Sequence, residues 1–220
     1  MIFALEGCMM PPYPGPMPTP SVSAMVAFVR AAPARLGDTR LVLIDGPAGA
    51  GKTTLANRIA VALGGEPSRG AGTFDPAAPA PTVPVLHADD MYEGWDGLDA
   101  LPAVMIDGVL DPLGRGEPGG FGMWDWHEGQ RTHLIPVAPR PFVIVEGVGV
   151  AFARARAAAA AVLYVDAPAA TRLERGIARD GEAMREEWLR WQESEAVHLE
   201  RSGARDAADF RLDGAADIPD

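Results

Sequence analysis

The chain has 220 residues, with 30 Asp plus Glu against 19 Lys plus Arg and a formal net charge of −11. That length suits one substantial α/β core, and the charge argues against a broad nucleic-acid-binding face, because phosphate contacts need Lys and Arg. The single cysteine, Cys8, leaves no intramolecular disulfide or cysteine-based metal cluster and suits a reducing cytoplasm. No apolar run reaches the ~18 residues that span a bilayer, and residues 1–8 lack the basic lead of a secretory signal.

Six prolines fall between residues 9 and 20, so residues 1–22 are expected to form a flexible tail before a single domain over 23–220. Met25, Val26, Phe28, Val29 and Ala32 are spaced as one face of a short helix that Pro33 ends. The first strand is expected at about residues 40–45, apolar at successive positions as in a parallel strand covered on both sides. A helix from Lys52 to Leu63 should stop at Gly64-Gly65, and the Gly-, Pro- and Ala-rich residues 65–82 read as a flexible loop. Val83 to His87 reads as the second strand, and Leu98 to Leu110 as a helix whose limits Pro102 and Gly108 blur. Phe142 to Val145 and Val162 to Val165 are the third and fourth strands, with a helix over Ala151 to Ala161 between them. Helices follow over Ala169 to Arg179 and Glu182 to Arg201, the second carrying Met184, Trp188, Trp191, Glu195 and Leu199 near one face, with both tryptophans read as packing residues. Asp209 to Leu212 supplies a fifth strand. Alternating strands and helices predict right-handed parallel crossovers, so the loops at the carboxyl ends of the strands should converge on one crevice.

The run Gly46-Pro47-Ala48-Gly49-Ala50-Gly51-Lys52-Thr53-Thr54 leaves an apolar strand and opens a helix, which is the spelling and setting of a phosphate-binding P-loop. Its glycines let the backbone approach an anion, and the helix start points unpaired N–H groups at phosphate. Lys52 supplies compact positive charge and Thr53 a hydroxyl for Mg2+. Asp89 and Asp90 follow the second strand and Glu146 ends the third, so all three would lie beside the P-loop in a parallel sheet. One of the aspartates could orient an incoming hydroxyl and accept its proton, Asp89 being the first choice and Asp90 its competitor, while Glu146 could hold Mg2+. Solvation at strand ends is the ordinary alternative. Arg172, Arg175 and Arg179 share a helical face, where they could form a lid over about residues 172–186 that stabilises a transferring phosphoryl group, or simply pair with Glu174 and Asp180. Trp124 to Arg131, with Asp125, His127 and Arg131, mixes aromatic surface with polar groups, suited to holding a base or sugar or to anchoring a loop. No compact His/Cys constellation gives a metal-ligand spacing.

Over about residues 38–213 this ordered set resembles the uridine kinase and phosphoribulokinase branch of P-loop kinases. Asp45 to Ala56, Asp89-Asp90-Met91-Tyr92, Val143 to Gly147 and the Arg172, Arg175, Arg179-Asp180 pattern carry the resemblance. Asp90 to Leu98 is most similar to bacterial uridine-kinase-like ATP-binding proteins. The resemblance implies a P-loop NTPase three-layer sandwich with a five-stranded, mainly parallel sheet in the order 2-3-1-4-5, using ATP and Mg2+. It implies Gly46, Ala48, Gly49, Ala50, Gly51, Lys52, Thr53, Thr54 and Arg172 as nucleotide ligands, with Arg175 and Arg179 as catalytic phosphate ligands. Asp89 would be the catalytic carboxylate, Asp90, Tyr92, Asp125, His127 and Arg131 would serve the acceptor site, and Thr53 and Glu146 the metal. The chain departs from true uridine kinases after Asp180, where Gly181-Glu182-Ala183-Met184 replaces an Arg-Gly-Arg type of lid, and at Trp124, where a tyrosine is expected.

The expected activity is therefore transfer of the γ-phosphoryl group of ATP to a hydroxyl of a small molecule, a nucleoside first, with a sugar acid or similar metabolite as another acceptor. An ATP- or GTP-binding switch or assembly protein is the competing class. It lacks support from a guanine-reading Asn-Lys-x-Asp sequence, which is missing, and Asp111-Pro112-Leu113-Gly114 follows no credible strand. Neither a nucleic-acid nor a membrane partner is expected, and the oligomeric state has no signature in the sequence.

Overall fold

The computed structural model describes residues 19–220; the proline-rich tail expected over 1–22 lies almost wholly outside the described residues. Helix α1 (Val22–Ala31) is capped by Ser21, whose hydroxyl accepts from Ala24 N–H at 3.1 Å. It leads to strand β1 (Arg40–Asp45), the P-loop, and helix α2 (Lys52–Ala62). After β2 (Val85–His87) the chain runs through two 3-10 segments (Ala88–Asp90 and Gly94–Ala100), α3 (Leu101–Met105), a π-turn and α4 (Asp111–Gly114). Pro102 and Pro112 each sit in the first turn of their helix, where a missing N–H costs nothing. Strands β3 (Gly119–Asp125), β4 (Gln130–Val137) and β5 (Phe142–Glu146) follow, then α5 (Ala153–Ala158), β6 (Ala159–Asp166), α6 (Ala169–Asp180), α7 (Arg185–Ser202) and β7 (Phe210–Asp213).

Five strands form one parallel sheet in the order β2-β5-β1-β6-β7. Counting only these five, the order is the expected 2-3-1-4-5. The difference is an added antiparallel hairpin, β3-β4, interposed before the third core strand. Trp124 to Arg131, read from sequence as a loop, are the end of β3, a turn and the start of β4. A second correction concerns Ala159 to Ala161, expected as helix, which pair as strand against Leu41 and Val42. A slot between β1 and β7 in a parallel sheet overrides the helix preference of alanine there.

Side chains alternate across the sheet and bury two cores. Val42, Ile44, Ile144 and Leu163 face α1 and α2 through Met25, Val29, Leu55 and Ile59. Leu41, Leu43, Val143, Val145 and Tyr164 face the other layer, with Met105, Leu113, Trp191 and Leu199. Trp191 and Trp188 are buried, as expected of packing residues. The register sets Ile44 beside Glu146 and His87 beside the same Glu146, so the carboxyl ends of β1, β2 and β5 finish level, at one edge of the sheet. Among the described residues no helix is long and apolar enough to cross a membrane.

Candidate active site

The P-loop grows out of Asp45, which is fully buried at the end of β1. Its carboxylate accepts from Gly46 N–H at 2.6 Å and from Gly149 and Ala151 N–H at 2.8 Å, binding the loop's start to the segment after β5. Burial pushes the Asp45 pKa up, against those three amides and the charge of Lys52. Gly49 has φ +76°, and a Cβ there would lie 2.6 Å from the Arg172 carbonyl oxygen, so the back of the loop is pressed directly onto α6. No side chain caps α2 at Gly51. The N–H groups of its first turn, Lys52 to Thr54, have no acceptor within the helix and open into the loop, a seat for an anion. Lys52 is buried, its ammonium donating to Pro47 C=O at 2.9 Å.

Glu146 sits at the centre of a polar chain. Its Oε1 accepts from Thr53 Oγ1 at 3.0 Å and lies 2.6 Å from His87 Nδ1, while His87 Nε2 is 3.0 Å from Ser68 Oγ. Ser68 N–H in turn donates to Asn57 Oδ1 at 2.8 Å, so α2, the 65–82 loop, β2 and β5 are joined in sequence. Burial disfavours charge on both members of the His87–Glu146 pair. Their hydrogen bond and mutual attraction outweigh it, raising the His87 pKa and, with help from Lys52, lowering that of Glu146. The sequence marks His87 only as the last residue of the second strand, so its partnership with Glu146 was missed. Its signal was the i, i+2 placement before Asp89 on a strand end.

Adjacent aspartates after β2 go separate ways. Asp89 is half-buried, and burial followed by the nearby charge of Glu146 raises its pKa, while Lys52 and Arg179 pull against that rise. Asp90 is buried and turned to the 65–82 loop, where Oδ1 accepts from Gly72 N–H at 2.6 Å. Burial pushes its pKa up to about 6. Tyr92, expected at the acceptor site, is 1 % exposed, its hydroxyl donating to Val148 C=O at 2.5 Å, so it backs the site from within the core.

The three arginines of α6 also divide. Arg172 is buried, its Nη1 held by Glu195 Oε1 at 2.5 Å and Ala48 C=O at 3.2 Å and its Nε by Ala167 C=O at 3.0 Å, which commits those two nitrogens to protein acceptors. Arg175 is exposed and reaches Gly49 C=O at 3.2 Å and Gly214 C=O at 3.0 Å, bridging the P-loop and the turn after β7. Arg179 makes a two-pronged pair with Asp180 at 2.7 and 2.9 Å and lies 5.6 Å from the Trp188 ring, with its charge acting on Asp89 and Glu146.

The hairpin faces the same edge. Trp126 Nε1–H donates to the Asp89 main-chain carbonyl at 2.9 Å, and the Trp126 ring meets Trp95 edge-on at 5.3 Å. Trp95 meets Trp191 at 5.8 Å, and Trp191 meets Tyr92 at 5.5 Å, so an aromatic wall extends from the hairpin tip into the core. Arg131 clamps the hairpin by donating to Met91 C=O at 3.0 Å, Glu93 Oε1 at 3.2 Å and Gly122 C=O. Asp125 Oδ1 accepts from His127 and Glu128 N–H at 2.9 and 3.0 Å, closing the tip's turn, and His127 itself is exposed. The structure thus brings Lys52, Thr53, Glu146, Asp89 and Arg179 near one another at the carboxyl ends of the strands, with Trp126 bonded to the main chain of Asp89.

No family model matches the chain, and no curated protein sequence matches it. Solved structures do. A protein described as a possible uridine kinase from Bacillus stearothermophilus superposes with a TM-score of 0.56 at 19 % identity, over 87 % of this chain and 97 % of that one. A proposed fructose transport system kinase from Silicibacter sp. TM1040 gives 0.51 at 18 % identity, over 87 % and 98 %. The chain has the fold of these two proteins.

Proposed function

We propose that this chain is an ATP-dependent kinase of a small hydroxylated metabolite, with a nucleoside as the leading acceptor. The position of Asp89 carries the reading: a half-buried carboxylate of raised pKa, with Glu146 near it, under the charges of Lys52 and Arg179. An acceptor hydroxyl bound against Asp89 would be oriented and would pass its proton to that carboxylate. Lys52 and the first-turn amides of α2 would hold the phosphates, and Arg175 and Arg179 would offset charge on the transferring group. Residues 23–220 would act as one kinase domain, with 172–186 as its lid.

Thr53 Oγ1 and Glu146 Oε1, 3.0 Å apart, are hard oxygen donors of the kind Mg2+ takes when bound phosphates complete its shell. Those two residues would hold the ion, whose chemistry there is to neutralise developing phosphate charge. His87 would keep Glu146 ionised and aimed.

The aromatic wall of Trp126 and Trp95 beside Asp89 favours a flat acceptor such as a nucleoside. A sugar acceptor is the second reading, favoured by the likeness to a protein described as acting in fructose transport. The test is incubation of the purified chain with Mg-ATP and pools of nucleosides, sugars and small acids, with products sought by mass. A phosphorylated nucleoside or sugar, lost in Asp89→Asn, is expected. ATP hydrolysis with no acceptor modified would replace the kinase reading with that of a nucleotide switch.

A further inference from the structure

Glu195 has no exposed surface, yet it lies on α7, outside every motif that builds the P-loop. Its Oε2 accepts from Ala48 N–H at 2.7 Å and from Trp191 Nε1–H at 3.0 Å, and its Oε1 accepts from Arg172 at 2.5 Å. Arg172 also donates to the carbonyl of the same Ala48, at 3.2 Å. One ion pair therefore grips both polar groups of a single P-loop residue. A buried ion pair is weak evidence for stability, because its desolvation cost offsets its attraction and an apolar pair would serve as well. What the pair does achieve is orientation. Within a planar trans peptide the C=O and the following N–H point opposite ways, so drawing the Ala48 carbonyl to Arg172 turns Gly49 N–H away from α6 and toward the cradle.

The connection continues beyond the loop. Trp191, one helical turn before Glu195, is the centre of the aromatic wall through Tyr92 and Trp95. Gly176 lets the Trp188 ring seat on α6, where a Cβ would come within 2.4 Å of it, and Trp188 Nε1–H donates to Asp180 Oδ2 at 2.9 Å. Helices α6 and α7 are thus locked to one another while α7 holds both the loop and the wall.

We infer that Glu195 is a positioning residue: with Arg172 it fixes the Ala48 peptide so that Gly49 N–H is aimed at the outer phosphates of a bound nucleotide, and through Trp191 it joins that aim to the acceptor wall. The inference rests on the reading of the loop as a nucleotide cradle. Glu195→Gln keeps the size of the side chain but places an amide donor among three other donors, and so loosens the Ala48 peptide.

The test is equilibrium binding of Mg-ATP and of AMP to the full chain, by titration calorimetry without any acceptor. A nucleotide's outer phosphates are present in one ligand and missing from the other, so the ratio of the two affinities reads the aim of the loop. Partial unfolding would scale both affinities alike and leave the ratio unmoved. Glu195→Gln is expected to shrink the ATP-over-AMP preference about tenfold, equal to about 1.4 kcal/mol. Trp191→Phe, which keeps an aromatic side chain, though a smaller one, and removes the N–H bond to Glu195, is expected to shrink it about threefold, on the order of a weak hydrogen bond, and decides the matter if the Gln variant does not fold. A wild-type chain that binds ATP, with the ratio unchanged in both variants, overturns the inference alone. A wild-type chain that binds no ATP overturns the nucleotide-cradle reading, and the inference with it.

Discussion

Two kinds of carboxylate stand at strand ends in this fold, and they are held in opposite ways. Asp45 and Glu146 end parallel strands and are buried, with partners 104 and 106 residues away for Asp45 besides the adjacent Gly46, and 59 and 93 for Glu146. Asp125 ends a hairpin strand, and the N–H groups it accepts come from residues two and three positions on. Groups of the first kind are placed by the whole fold and cannot shift without breaking several elements apart. The second kind is placed by one turn. Under the proposed function, the phosphate side would be rigid and the acceptor side open to remodelling through changes to a hairpin, as sites grafted on a shared fold allow.

The largest effect should separate the two sides most clearly. Asp89→Asn removes the proton acceptor while keeping the main-chain carbonyl that Trp126 binds, so kcat should fall by roughly 10²–10⁴, with Mg-ATP affinity held within about twofold of wild type. Steady-state kinetics and a separate ATP titration measure the two. Full turnover in this variant would remove Asp89 from the chemistry.

Asp90 should show its role in stability instead. In the unfolded chain its carboxyl has the ordinary pKa of 3.8, and burial raises it to about 6 in the folded protein. The folded state therefore holds the proton more tightly, and the stability this group contributes is full below about pH 4 and lost as pH rises through about 6. Asp90→Asn stays neutral and can still accept from Gly72 N–H. Its stability relative to wild type should climb by about 3 kcal/mol at most between pH 4 and pH 7.5, read from urea unfolding at both. Parallel stabilities across that range would mean that Asp90 is solvated and does not anchor the loop.

The same contrast between near and distant partners explains what could be read in the sequence. The P-loop is a contiguous run between an apolar strand and a helix, and the five core strands follow from apolar runs joined by right-handed crossovers, so both were legible. The hairpin was not, because β4 exposes most of its residues and shows no apolar alternation, while Gly119, Gly120 and Gly122 thin the pattern of β3. Asp89 and Asp90 could be named as a pair but not told apart, since the choice depends on Gly72 in a loop without regular structure. Arg172 and Glu195 were visible only as positions on helix faces. That Arg172 Nη1 reaches Glu195 and Ala48 follows from how α7 packs on α6, 23 residues on, and leaves no local trace.

Changes on the acceptor side should be smaller and should spare ATP. Arg131→Ala frees the hairpin from Met91 and Glu93, and is expected to raise the acceptor KM about tenfold, the order of one or two charge-assisted hydrogen bonds. Trp126→Phe is the finest cut. An aromatic ring, though a smaller one, remains to meet Trp95, and the polar loss is the N–H bond to the Asp89 carbonyl. Because Trp126 is 37 % exposed, water can replace the missing donor, and the acceptor KM should rise by only about threefold, with the KM for ATP unchanged. If this variant instead lowered kcat as far as Asp89→Asn does, the tip would be setting the position of the carboxylate itself. The division between a fold-held phosphate side and a turn-held acceptor side would then fail at the one residue that touches both.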